Sequence, residues 1–164
     1  MILESKRLKL RLFKKQDKEE LINLLNDQIV TKWMDNVPFP YLEKHAKWWI
    51  ETGSKKKYQY AIIDKKTKKL IGSIKLTISG EIGCWIGTDY WKKGFATEAI
   101  ERIKEFGFGE LELEKLWAAT HKDNLAPIEL MRSTGFTRVD DRAYYVEGIG
   151  ATKVRPHFEL LNRP

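Results

Sequence analysis

The chain holds 164 residues, 42% hydrophobic and 32% charged, with a formal net charge of +7, a balance that allows a sizeable core and is that of a globular protein rather than a disordered one. No run approaches the ~18 apolar residues of a membrane span, the opening residues predict no secretory signal, and the one cysteine, Cys84, can form no internal disulfide. The reading is therefore a single domain, residues 1–164, in the cytoplasm, and its scattered basic residues predict solvated loops and strand ends rather than a nucleic-acid face.

Taken in order, the apolar pattern predicts an opening strand over residues 8–13, where Leu8, Leu10 and Leu12 alternate with Lys9 and Arg11. Asp17 stands where a helix cap belongs, and Leu21, Ile22, Leu24 and Leu25 supply a short apolar helical face. Pro38 and Pro40 break the chain before a second helix carrying Leu42, Ala46, Trp49 and Ile50. Residues 58–63 and 70–78 are β-rich and joined by the polar turn Asp64-Lys65-Lys66-Thr67, a hairpin signal.

A third strand is expected over residues 81–87, with Ile82, Cys84 and Ile86 on one face and Gly83, Trp85 and Gly87 on the other. A tight basic loop, Trp91-Lys92-Lys93-Gly94, then feeds a helix whose apolar face is Ala96, Ala99, Ile100, Ile103 and Phe106. Residues 116–120 read as a buried strand. Asn124 is placed to cap the next helix, Pro127 is tolerated in its first turn, and Gly135 ends it. Two strands, residues 136–146 and 154–161, close a mixed α/β (α+β) domain.

The stretch from Glu81 to Ala99 carries the chemistry: a buried strand, a turn at Gly94 and the start of a helix. Unpaired N–H groups at a helix N-terminus, helped by its dipole, form an anion site. Gly94 and Ala96 leave room for a diphosphate to approach the backbone, and Lys92 and Lys93 add positive charge. The pattern lacks the further glycines of a dinucleotide fingerprint or a P-loop. His45, His121 and His157 have no ligand-like spacing, so no metal is expected. Cys84, on an apolar strand with no adjacent His, reads as an inert thiol.

The segment Tyr90-Trp91-Lys92-Lys93-Gly94-Phe95-Ala96-Thr97-Glu98-Ala99 resembles the acetyl-CoA pyrophosphate loop of the GNAT N-acetyltransferase superfamily. Its nearest likeness is the branch holding ribosomal-protein N-terminal and spermidine acetyltransferases. Residues 124–136, from Asn124 to the Gly135-Phe136 pair, and residues 40–49 resemble two further segments of that branch. Trp91 stands where Gln or Arg is frequent, and Pro127 where a Ser is frequent.

The resemblance implies a central mixed, mostly antiparallel sheet of about seven strands flanked by about four helices. It implies transfer of acetyl from acetyl-CoA to a primary amine (a peptide N-terminus, a polyamine or another small amine) by direct attack on the thioester. The strand at residues 81–87 would part from that at residues 116–120, and the cofactor would lie between them. Cofactor contacts would then fall to Cys84, Trp85, Ile86, Lys92, Lys93, Gly94, Phe95, Ala96, Thr97 and Asn124, with proton transfer at Glu81 or His121. A non-catalytic CoA-binding sensor or scaffold is the alternative, no membrane partner is expected, and a homodimer is compatible with the reading.

Overall fold

In the computed structural model, which describes residues 1–163, the alternation of apolar residues sets the strands. β1 (Leu3–Glu4) and β2 (Leu8–Arg11) pair antiparallel, and Leu3, Leu8 and Leu10 enter the core. The opening strand ends two residues earlier than its pattern suggests, because Phe13 leaves the ladder to join Leu21, Tyr41 and Ile50 in a separate apolar cluster. β3 (Gln59–Asp64), β4 (Leu70–Leu76) and β5 (Ile82–Ile86) continue antiparallel, giving the order β1-β2-β3-β4-β5.

Both faces of this sheet are covered. Tyr60 and Ile62 of β3 pack in one cluster with Ala99, Ile100 and Ile103 of α4 (Phe95–Glu105) and with Ile128 and Met131 of α5 (Leu125–Ser133). Ala61 and Ile63 join the other cluster, with Leu21 and Leu25 of α1 (Lys18–Leu25) and Ala46 of α3 (Glu43–Trp48). Each fully buried Leu or Ile contributes roughly 1.5–3 kcal/mol. Trp49 is half-buried and packs against this second cluster, its ring T-shaped to that of Phe13 at 5.7 Å between centroids.

β6 (Lys115–Ala119), β7 (Thr137–Val146) and β8 (Ala151–Leu161) form a second antiparallel sheet in the order β6-β8-β7. One parallel bridge, Glu81 to Trp117, joins the two sheets. The class is as expected, but among the described residues the strands number eight and the α-helices five. The additions are the two-residue β1 and the single-turn α2 (Gln28–Thr31), whose Ile29 N–H donates to Asp27. Elements this short leave no periodic signal.

Two expected caps are corrected. Asp17 stands at the N-cap of α1 but its side chain bonds no α1 amide; its buried carboxylate accepts from both terminal nitrogens of Arg11, at 2.8 and 2.9 Å, and from Lys14 N, at the start of the preceding turn, at 2.7 Å. A paired cation competes better for that carboxylate than the helix amides do. Asn124 stands at the start of α5, yet its side chain makes no cap bond, while its own N–H donates to His121 O at 3.0 Å.

Candidate active site

The junction of the two sheets opens into a cleft. At the ends of the β4–β5 ladder, Thr77 N donates to Glu81 O at 3.0 Å and Gly87 N to Ile71 O at 2.9 Å. Antiparallel alternation then turns the N–H and C=O of Glu81, Gly83, Trp85 and Gly87 toward β4, and those of Ile82, Cys84 and Ile86 toward β6. Past the single bridge, β6 no longer pairs with β5, and the main chain of Cys84 and Ile86 faces an open edge. Trp85 differs from its expected role: its main chain belongs to the β4 ladder, and its side chain packs with the α1 and α3 cluster. Burial pushes the Cys84 thiol up to about 12, so it stays protonated.

The Trp91 indole N–H donates to Ile86 O at 2.6 Å. That bond occupies one acceptor of the open edge and pins the loop that follows. Thr88 fixes the other side of this turn, donating to Asp27 at 2.7 Å.

At the far end of the cleft Gly94 precedes α4 with φ +80, a left-handed conformation that costs any residue with a Cβ. The first α4 amide with a main-chain acceptor is Glu98 N, to Gly94 O at 3.0 Å. The N–H groups of Phe95, Ala96 and Thr97 precede it and are the ones a helix leaves unsatisfied. Lys92, Lys93 and Thr97 are exposed, while the Phe95 ring is buried. Open-edge amides leading to free helix amides and lysines suit an extended amide-bearing chain that ends in phosphates.

The loop is braced from a distance that sequence patterns do not register. Arg7 Nε donates to Glu98 at 2.7 Å, Arg7 Nη1 donates to Lys93 O at 2.8 Å, and the guanidinium lies over the Phe95 ring at 4.4 Å. Ser5 Oγ and Arg7 N each donate to Glu98 at 2.6 Å. Burial pushes the Glu98 carboxyl up, but these bonds outweigh it and hold it below its ordinary value. Both ends of this network are visible only once β2 lies beside α4.

Glu81 lies at the closed end, on the bridge with Trp117, and pairs with Lys75 Nζ at 3.2 Å. The Trp117 ring stacks on His157 at 5.2 Å and on Tyr144 at 5.8 Å. His157 is buried and bonds Tyr144 through Nδ1, and Glu159 lies 3.7 Å from its Nε2. Burial, with Arg142 and Lys115 nearby, holds His157 below the usual imidazole range against the opposing pull of Glu159.

His121 is not brought to Glu81. It follows β6 four residues beyond Trp117, about 13 Å along the strand direction. Its ring packs on Trp33 at 4.6 Å and its Nδ1 accepts from Asp123 N at 3.3 Å. Asp35, from the same segment as Trp33, accepts from Arg155 at 2.7 Å and ties that segment to β8. Among the described residues no three His, Cys, Asp or Glu side chains gather as a metal site requires, and no helix is long and apolar enough to cross a membrane.

Comparison with known proteins bears on this geometry. Residues 7–137 match the family model of the acetyltransferase (GNAT) domain. The uncharacterized N-acetyltransferase p20 of Bacillus licheniformis is 29% identical, over 98% of this chain and 96% of the relative. A putative ribosomal-protein-serine acetyltransferase from Vibrio cholerae superposes with a TM-score of 0.86 at 22% identity, covering 98% of this chain and 97% of that one. A spermidine N-acetyltransferase from Vibrio cholerae, solved with CoA and spermine, superposes at 0.73 with 19% identity, covering 96% and 97%. With four-fifths of its length in the matching region, the chain belongs to the GNAT acetyltransferase family and is an acetyl-CoA-dependent N-acetyltransferase.

Proposed function

We propose that the enzyme acetylates a primary amine, either a peptide N-terminus, a polyamine or another small amine, by direct attack of the amine on the thioester. Acetyl-CoA supplies an acyl group already activated by its sulfur leaving group. In this reading Cys84 and Ile86 offer main-chain hydrogen bonds to the pantetheine arm and acyl oxygen, and Asn124 adds its side chain from across the cleft. A fixed amide aimed at a developing negative charge is worth roughly 3 kcal/mol in enzymes where one has been removed. The amides of Gly94, Phe95, Ala96 and Thr97, with Lys92 and Lys93, take the diphosphate.

Proton transfer is assigned to Glu81, because it stands at the closed end where the strands part. Lys75 Nζ lies 3.2 Å from its carboxylate and holds it in place. A free α-amine, with a pKa near 8, asks less of such a base than a Lys amine near 10.4. The single cysteine, which can form no internal disulfide, fits a cytoplasmic setting.

One observation carries the reading: among the described residues the sheets share a single bridge, and the gap leads to a helix start with unsatisfied amides. The test is thiol release from acetyl-CoA over a panel of peptides, polyamines and small amines. The parent protein is expected to release thiol with at least one class. Gly94→Asp, which adds a negative charge and a Cβ at the left-handed position opening α4, is expected to lose about a hundredfold in CoA affinity while keeping its circular dichroism. Unchanged affinity in that variant would show the loop to be misassigned.

A further inference from the structure

We propose that Arg7 is a positioning residue for the cofactor's diphosphate, acting by fixing the orientation of the Lys93–Gly94 peptide. This rests on the reading of the Gly94 loop as the diphosphate site. The first observation is that Lys93 O accepts from Arg7 Nη1 at 2.8 Å. In a planar trans peptide the N–H points opposite to the C=O. Holding the Lys93 carbonyl toward Arg7 therefore turns the Gly94 N–H away from it, and no main-chain acceptor among the described residues takes that hydrogen.

Such a lock is needed because this stretch is prone to flip. Lys92 has φ +59 and Gly94 φ +80, and residues 91–94 are all exposed, so packing does not choose the orientation of the intervening peptide. Arg7 itself is held on three sides. Its Nε donates to Glu98, its guanidinium lies over Phe95, and its own N–H donates to the same Glu98 that Ser5 binds. The remaining nitrogen, Nη2, lies 3.2 Å from the place a Cβ on Gly94 would take. The guanidinium thus also puts a fixed positive charge beside the loop. Lysine carries the charge but lacks the fork that reaches Glu98 and the Lys93 carbonyl together.

The test measures binding of CoA and of pantetheine, which lacks the phosphates, to the parent, Arg7→Ala and Arg7→Lys. Calorimetry serves for CoA, and NMR titration at millimolar concentration for pantetheine. Arg7→Ala is expected to weaken CoA by about tenfold or more, the effect of one lost hydrogen bond to a charged group, and to leave pantetheine within twofold. Arg7→Lys is expected to recover only part of the loss, and it decides the matter alone if Arg7→Ala does not fold. The Gly94 amide resonance should shift with CoA in the parent and shift less in the variants. CoA affinity within twofold of the parent in both variants overturns the inference, and so does an equal loss for both ligands. A parent that does not bind CoA overturns the reading of the site itself.

Discussion

β3 is buried along its whole length, whereas β7 leaves most of its residues in solvent. The same contrast separates the two sheets. The five-stranded sheet is clamped between α1 and α3 on one face and α4 on the other. The three-stranded sheet is covered on the face that carries Leu116, Ala118 and Phe158, and its other face bears Trp117, Tyr144, His157 and several ion pairs. The cleft runs along the border between a rigid half and an open one. A donor that must be held the same way at every turnover suits the first. An acceptor that must come and go suits the second.

Substitutions sharpen or break this contrast. Ile74→Ala, at a fully buried position of β4, is expected to lower unfolding stability by about 2–5 kcal/mol in a denaturant titration. A cost under 1 kcal/mol would mean that the clamped half is not clamped.

A smaller effect comes from pH at the open half. Because the folded value of His157 lies below its unfolded value, near 6.5, the unfolded chain takes up the proton first. The contribution of His157 is fully present above that value and is lost as pH falls through the folded one. Stability should therefore decline on going from pH 7.5 to 5.5, and decline less in His157→Gln. An equal decline in both proteins would remove His157 from the account.

The smallest change is Val154→Ala, at an exposed site on β8, which should stay within about 0.5 kcal/mol of the parent.

What the sequence discloses follows the range of the interaction. The alternation of Ile82, Cys84 and Ile86 and the turn at Gly94 are local, and both are where their patterns put them. Arg7 looks like one more scattered basic residue until folding sets it against Glu98, 91 positions away. Asp17 has the local look of a cap, and a buried ion pair with Arg11 claims it instead. Trp85 shares a strand with Cys84 and Ile86, but only the ladder phase shows that its main chain turns the other way. His121 and Glu81 look equally available in the sequence, and the direction of β6 parts them.

The proposed function sets the acyl carrier between β5 and β6, with its phosphates on the start of α4. Amide hydrogen exchange, with and without CoA, tests it most directly. Added CoA should slow exchange at Cys84, Ile86 and residues 94–97 while leaving the already buried amides of β3 unchanged. Slowing elsewhere, with those six amides unaffected, would contradict it.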